Sequence, residues 1–408
     1  MNLFQISWKH LQFKSLSSIL NITLFALGVA IISFITLVSG QLEATLERNQ
    51  GGIGMVVGAK GSPLQLVLCA IFHIDFPTGN IKIKDAAFLS KHPLIAQVIP
   101  QALGDSYRNF RIVGTNHAYA KLYQVRVEKG DFWKHDFEVC IGKKVALETG
   151  LSVGDTFVSS HGLSDENEAA HHHRHFKVVG IFESSGTVID QLILTSVQSI
   201  WEVHQHHHDE EHHHHHDNES IFVEKYFEQE ITTVLVKFRN PMGAIQLPRF
   251  INETTNMQAA NPAFEIARLF SLLGVGVTTL NILAYVIMVV SGMSVAISLY
   301  NSLKEQKYEL AYLRVIGAKR WQLLSIIVWE GVLLALLGYG VGIFLSRAIL
   351  WVVSQIFSAQ FHQEFAIFVF GVEEFFLWIG TIGIGFLAAL VPALQVIRTD
   401  ISKTLAEN

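Results

Sequence analysis

Histidines are concentrated in two short stretches of this chain. Of the 20 histidines, 14 lie between positions 161 and 216. Imidazole is a good ligand for zinc, copper, nickel and cobalt, whereas a site selective for Cu(I) would need the sulfur ligands that both stretches lack. Zinc therefore fits the ligand type best. After His161, the predicted ligands are His171, His172, His173 and His175 in the first stretch and His204, His206, His207, His208, His212, His213, His214, His215 and His216 in the second.

Carboxylates are interleaved with these histidines, as at Asp165 and Glu166 in the first stretch and at Glu210 and Glu211 in the second. A composition with so little apolar content predicts two solvated loops that bind several zinc ions weakly, with no cofactor held firmly. Two other interpretations remain open: a pH-responsive loop, because imidazole gains charge at acidic pH, or a solvated insertion without a role. The scattered histidines are predicted to be ordinary polar side chains: His73, His92, His117, His135 and His362.

A charged segment, residues 304–321, separates two long apolar runs. Residues 269–303 contain no charged side chain, and the only charge in residues 323–345 is Glu330. An excess of Lys and Arg places the segment on the cytoplasmic side of a membrane. Its apolar side chains recur at helical spacing, which predicts a helix that ends at Gly317. From the residues alone, contact with a partner protein and contact with lipid are both open.

Four apolar stretches are long enough to cross a bilayer of about 30 Å as helices. Basic residues flank them on one side, which puts both termini in the cytoplasm and the large polar block outside. The first stretch is too long for a signal peptide, so we predict an uncleaved span. The predicted regions are a lipid-contacting amphipathic helix on the cytoplasmic face (1–14), spans at 15–42, 322–346 and 375–397, a stalk with a span at 266–303, the connector 304–321, an outer loop 347–374, a cytoplasmic tail 398–408, and an outer domain 43–265.

The outer domain has the sequence pattern of an α+β fold. Alternating apolar residues predict strands and amphipathic spacing predicts helices. Residues 51–80 are rich in glycine and predict a first strand followed by a loop. The predicted strands are 110–114, 137–141, 176–182 and 232–238, and the predicted helices are 85–91 and 195–203.

Composition excludes several classes of function. The formal net charge is -5, so the chain has no overall excess of basic residues and nucleic acid is not expected as a partner. The phosphate-loop order GxxxxGK[ST] does not occur, so ATP hydrolysis is expected in a separate chain and this chain is predicted not to be an enzyme. Two cysteines, Cys69 and Cys140, allow a single disulfide, and their spacing has no redox or zinc motif.

The connector sequence KEQKYELAYLRVIGAKR, residues 304–320, resembles the signature that follows the second span in FtsX/MacB-type (type VII) ABC transporter permeases, close to E-R-x-x-E-I-A-x-L-R-A-I-G-A. Gln306 stands where that family usually has Arg, and Val315 where it often has Ala. Residues 391–400 are similar to the family's C-terminal end, and residues 145–157 and 178–182 to its extracytoplasmic domain. The matching connector positions are Glu305, Glu309, Ala311, Leu313, Arg314, Ile316, Gly317 and Ala318.

The resemblance implies four transmembrane helices with an α+β, MacB-like periplasmic core domain inserted between helices 1 and 2. It also implies an inner-membrane homodimer that works with a cytoplasmic ABC ATPase dimer and transmits motion mechanically. Glu330 is then an intramembrane candidate for function, with a packing role equally open. Gly338, Gly340 and Gly342 would permit close helix approach in the dimer. The residues implied in ATPase coupling are Lys304, Glu305, Glu309, Arg314 and Gly317.

Histidine loops are not required by this family. The leading hypothesis is therefore a permease whose outer domain handles zinc, with a periplasmic metal-binding protein or lipoprotein as a further partner. One alternative is a lipoprotein or efflux machine of the MacB/Lol type with incidental histidines. Another is a transmembrane regulator that switches a periplasmic hydrolase. The sequence leaves the cargo and the direction of transport open.

Overall fold

A computed structural model describes residues 3–13, 15–161, 175–204, 221–305, 317, 319–361 and 365–398. The chain forms two compact units. The span unit consists of Met1–Leu42 and Leu272–Asn408, and the α+β unit consists of Glu43–Ser271. The chain therefore leaves the span unit once, builds the α+β unit, and returns.

Helices occur in both units of the described chain. In chain order they are α1 (Leu3–Phe13), α2 (Ser15–Gln50), α3 (Pro63–Phe72), α4 (Ile83–Lys91), α5 (His117–Leu122), α6 (Lys143–Thr149), α7 (Val197–His204), α8 (Met242–Thr254), α9 (Pro262–Glu305), α10 (Arg320–Phe361) and α11 (Val372–Arg398). Short 3-10 turns cover Val188–Gln191 and Glu224–Tyr226.

Four helices among the described residues, α2, α9, α10 and α11, are long and apolar enough to cross a membrane, and we call them spans 1 to 4. Their ends correct the predicted boundaries. Span 1 continues to Gln50 instead of stopping at 42, and span 3 continues to Phe361 instead of 346. Residues 347–361 of the predicted outer loop are therefore helical. An apolar run marks only the part of a helix that suits hydrocarbon, whereas backbone hydrogen bonding continues through polar residues.

Spans 3 and 4 approach closely at two glycines. A Cβ atom added to Gly331 would lie 2.9 Å from the carbonyl oxygen of Gly385, and one added to Gly385 would lie 2.9 Å from that of Gly331. Small residues allow this contact. Gly338 and Gly342 serve the same purpose against span 1, where added Cβ atoms would meet Phe25 and Val29. These two glycines thus pack within the chain, which differs from the dimer contact predicted for them.

Helix α1 packs against span 3. Its buried Ser7 donates a hydrogen bond of 3.0 Å to the carbonyl oxygen of Ile326. Leu11 lies in a buried apolar cluster with Phe25 and Leu334. On the other side Phe13 is exposed. The predicted surface-lying helix thus has one face on protein and leaves the other for lipid.

The α+β unit is built on a sheet of 11 strands in the described chain, with a second sheet of two strands. The strands are β1 (Met55–Ala59), β2 (Ile81–Lys82), β3 (Ile95–Tyr107), β4 (Phe110–Thr115), β5 (Val127–Gly130), β6 (Glu138–Ile141), β7 (Thr156–Val158), β8 (Ser160–His161), β9 (His175–Phe182), β10 (Leu192–Ser196), β11 (Glu230–Ile231), β12 (Thr233–Phe238) and β13 (Met257–Ala260).

The large sheet has the order β13-β1-β12-β3-β4-β10-β6-β9-β5, with β7 pairing with β9 and β8 with β3. Strands β4 and β10 are parallel, as are β6 and β9, and the other pairs are antiparallel. Strands β2 and β11 form the small sheet. Inward side chains such as Ile112, Phe176 and Val234 are fully buried in one apolar core.

Helix α3 is an element that the sequence prediction missed, because residues 51–80 were expected to hold a strand and a loop. Strand β1 is present, but Pro63–Phe72 form a helix that is buried along most of its length. Ser62 caps its start by accepting a hydrogen bond of 3.4 Å from the amide of Gln65. A short run that is apolar on every side has no amphipathic period, so pattern alone cannot separate helix from strand.

Candidate functional site

The connector between spans 2 and 3 is described at its two ends. Lys304 and Glu305 close span 2 with exposed side chains. Gly317 is exposed and has a φ of 106°, a conformation that glycine adopts without strain. The amide of Lys319 donates to the side-chain oxygen of Gln322 at 2.9 Å, which caps the start of span 3. Residues 306–316 and 318, including Glu309 and Arg314, lie outside the described residues.

Glu330 lies on span 3, and its side chain is buried in the span unit with 8% exposed. Burial of a carboxylate in an apolar helix has a large free-energy cost without compensating contacts. Its position therefore agrees with either a functional role or an internal packing role, as the sequence left open.

Most of the predicted zinc ligands lie outside the described residues. Three histidines flank these regions: His161 ends β8, His175 begins β9 with an exposed side chain, and His204 ends α7. Within the described part of the chain, no three His, Cys, Asp or Glu side chains are placed to hold one metal ion. Zinc binding therefore stays a prediction from the sequence.

His73 is predicted from the sequence to be an ordinary polar side chain, and the structure places it in the interior of the α+β unit. It caps the C-terminus of α3 with a φ of 53° and is buried. Its Nε2 lies 2.9 Å from the Tyr119 hydroxyl. Burial lowers the pKa of His73 to about 3, and the nearby positive charge of Arg111 adds to the effect. His73 is therefore neutral at physiological pH.

Hydrogen-bonding side chains connect Tyr119 to the last turn of helix α2. That turn belongs to the α+β unit, which begins at Glu43. Tyr119 packs edge-on against Tyr123, whose hydroxyl donates to the carbonyl oxygen of Asn49 at 2.7 Å. The side-chain oxygen of Asn49 accepts from the amide of Val188 at 2.8 Å. These contacts fix the end of helix α2 within the α+β unit.

The two cysteines are free and buried. Burial raises the pKa of the Cys69 thiol to about 11 and that of Cys140 to about 12. Since the thiolate is the reactive form, both thiols are chemically inert at neutral pH.

A buried ion pair in the span unit was not predicted. Arg347 of span 3 donates from Nη2 to both carboxylate oxygens of Glu374 in span 4, at 2.7 and 3.0 Å. The side chains are 9% and 4% exposed. From the sequence both residues are predicted to lie in the outer loop, because charged residues end an apolar run. The available signal was that each residue lies next to an apolar run in the sequence, Arg347 after the third run and Glu374 before the fourth.

The chain is similar to two known protein families and to one solved structure described below. Residues 18–242 match the family described as the MacB-like periplasmic core domain, and residues 281–401 match the FtsX-like permease C-terminal family. Among solved structures, the chain is similar to the periplasmic region of MacB from Actinobacillus actinomycetemcomitans. The identity is 15%, the alignment covers 55% of this chain and 97% of that one, and the TM-score is 0.33. No curated protein matches the chain.

Proposed function

Because the chain belongs to the FtsX/MacB-type family of ABC transporter permeases, we propose that it transmits the ATP-driven motion of a separate ATPase dimer to its α+β unit. The observation that carries this proposal is the pair of family matches, which together cover both units of the chain. In this proposal the chain is a homodimer in the inner membrane. Its termini and connector are cytoplasmic, and the α+β unit is periplasmic.

Span 2 supports a mechanical role. It is one helix of 44 residues, from Pro262 to Glu305. At 1.5 Å per residue its length is about 66 Å, roughly twice the thickness of a hydrocarbon core. Its cytoplasmic end in this proposal is the connector, where the side chains of Lys304 and Glu305 are exposed. Movement at the connector would thus reach the far side of the membrane through a single element.

Association with an ATPase tests the proposal directly. The full chain is co-expressed with an ABC ATPase from the same genome and purified in nanodiscs. We expect a stable complex of two chains with two ATPase subunits, and ATP hydrolysis that depends on both proteins. An ATPase that does not bind would contradict the assignment, and so would a complex whose hydrolysis is unaffected by the permease chain.

The histidine stretches extend the proposal to zinc. Both lie within the MacB-like match at residues 18–242 and are bounded by elements of the α+β unit. Their imidazoles and carboxylates suit borderline metals such as zinc. We propose that zinc bound there acts as cargo or as a signal for the transmitted motion, with a periplasmic metal-binding protein or lipoprotein as the partner. A lipoprotein or efflux machine with incidental histidines would also work with an ATPase, but its activity would not depend on zinc. The same holds for a regulator of a periplasmic hydrolase.

Zinc titration of the full chain separates these functions. At pH 7.5 we expect calorimetry to show several zinc ions bound at micromolar zinc, and weaker binding at pH 5.5 because protonated imidazole loses its lone pair. Replacing His212, His213, His214, His215 and His216 by Asn should remove a large share of the bound zinc. The matched control, His92→Asn with His135→Asn, should not. Absence of binding in the unsubstituted chain would rule out zinc handling.

A further inference from the structure

Glu374 joins three of the four spans through one buried carboxylate. Besides the two bonds from Arg347 of span 3, its Oε1 accepts a hydrogen bond of 2.9 Å from Ser33 of span 1. Ser346 of span 3 donates in turn to the hydroxyl of Ser33 at 3.2 Å. The Tyr339 hydroxyl donates to the backbone carbonyl of Glu374 at 3.3 Å. The carboxylate itself thus accepts three hydrogen bonds, two from Arg347 and one from Ser33, which stabilise its charge away from water. Nε and Nη1 of Arg347 are buried without a hydrogen-bond partner among the described residues, so the guanidinium depends on Glu374 for its compensation.

The loop between spans 3 and 4 is attached to the same spans. Gln41 of span 1 pairs with the backbone of Ala366 in both directions: its amide nitrogen donates to the carbonyl at 2.9 Å, and its oxygen accepts from the amide at 2.7 Å. Arg347 also donates to the carbonyl oxygen of Val369 at 2.9 Å, and its guanidinium lies under the ring of Phe370, 5.2 Å from the centroid. We call Ser33, Gln41, Arg347, Glu374 and residues 365–371 the polar clamp.

Span 2 contacts span 1 through apolar side chains, in contrast to the polar contacts that join spans 1, 3 and 4. Ala284 and Met288 are buried against Ile32 in an apolar cluster. A Cβ atom added to Gly28 of span 1 would lie 2.7 Å from the Met288 side chain. Span 2 also makes a polar contact, from the Ser294 hydroxyl to the Asn21 side-chain oxygen at 2.8 Å. Apolar surfaces can slide past each other without leaving a buried charge unpaired. Separation of the spans joined by the polar clamp would instead leave Arg347 and Glu374 as unpaired buried charges.

We propose that the polar clamp holds spans 1, 3 and 4 together as one body, against which span 2 moves. Glu374 and Arg347 are positioning residues in this scheme. The movement of span 2 rests on the proposed function. The integrity of the clamp is a property of the chain alone and can be measured without an ATPase.

Neutralising Glu374 tests the clamp in the isolated full chain. In Glu374→Gln the guanidinium of Arg347 loses its counter-charge, so we expect the melting temperature to fall by about 5 °C or more. The matched control is Glu373→Gln, which removes the same charge from the preceding, exposed position and should leave the melting temperature unchanged. The double variant R347L/E374L leaves no unpaired charge and should recover much of the loss. Equal melting temperatures for E374Q and E373Q would overturn the clamp.

Thiol cross-links between spans test whether span 2 moves against spans 1, 3 and 4. In complex with the ATPase, a short thiol cross-link between cysteines at Gln41 and Ala366 should leave ATP hydrolysis within twofold of its unlocked value. The same lock should restore the melting temperature of E374Q. A lock between cysteines at Asn21 and Ser294 should lower hydrolysis at least tenfold, with recovery when it is released. Equal inhibition by the two locks would overturn the proposal.

Native thiols do not interfere with these locks, because Cys69 and Cys140 are buried and have raised pKa values. If the unsubstituted chain shows no ATP-dependent hydrolysis with its partner, the proposed function fails. The melting temperatures of E374Q, E373Q and the double variant still decide whether the clamp exists.

Discussion

Reversing the charges at Glu305, Glu309 and Arg314 is expected to weaken binding of the ATPase by about 30-fold or more. These side chains lie in the connector, whose sequence matches the family signature at all three positions. Like charges brought together at a protein interface cost several kcal/mol, and loss of a buried charge pair costs about 2–5 kcal/mol. A loss of about 2 kcal/mol corresponds to the 30-fold change.

Binding is measured by co-purification and by titration of the ATPase onto the nanodisc-embedded chain. The control reverses Arg249 and Glu253, an exposed pair in the α+β unit whose atoms lie 2.8 Å apart. Exposed pairs contribute little to stability, so this variant should fold and bind the ATPase normally. If the connector variant kept the ATPase bound and its cycle intact, the connector would not be the coupling element.

Acid is expected to destabilise the α+β unit through His73. The folded unit holds the pKa of this side chain near 3, whereas an unfolded histidine has a value of about 6.5. Between these values the unfolded chain binds a proton that the folded chain does not, so stability falls as the pH falls. At about 1.4 kcal/mol per pH unit, the loss from pH 7 to pH 4 is roughly 3 kcal/mol.

Thermal unfolding of the full chain between pH 8 and pH 4 measures this loss. In His73→Asn the side chain no longer titrates, and Asn accepts the left-handed backbone that this position requires. We expect the variant to be less stable at neutral pH, since it loses the contact with Tyr119, and to show a flatter dependence on pH below 6.5. His92→Asn is the matched control. An identical pH dependence in wild type and His73→Asn would show that other groups dominate.

Much of the α+β unit is predictable from alternation in the sequence. The expected strands at 110–114, 176–182 and 232–238 correspond to β4, β9 and β12. These strands are buried in one core, so their pattern is regular. Helix α3 was missed because it is apolar on most sides. The ends of spans 1 and 3 were missed because charge marks the limit of the hydrocarbon and not the limit of the helix.

The connector and the histidine stretches stay predictions that rest on sequence motifs, whereas the buried ion pair is visible only in the structure. The connector and histidine stretches are visible as residue types at short spacing. The pairing of Arg347 with Glu374 depends on how two helices pack, and nothing local to either residue indicates a partner 27 positions away. Likewise, the low pKa of His73 follows from burial beside Tyr119, which is 46 positions distant.

The Arg347–Glu374 pair also bears on how the chain is inserted into the membrane during synthesis. A single charged side chain in the middle of a helix raises the free energy of insertion by about 2.5–3.5 kcal/mol on translocon scales, and less towards the ends. Span 3 carries both Glu330 and Arg347, so alone it is a poorer substrate for insertion than its apolar length suggests. Pairing with Glu374 offsets part of this cost only after span 4 has been synthesised. Spans 3 and 4 are therefore suited to leave the translocon together, as a hairpin.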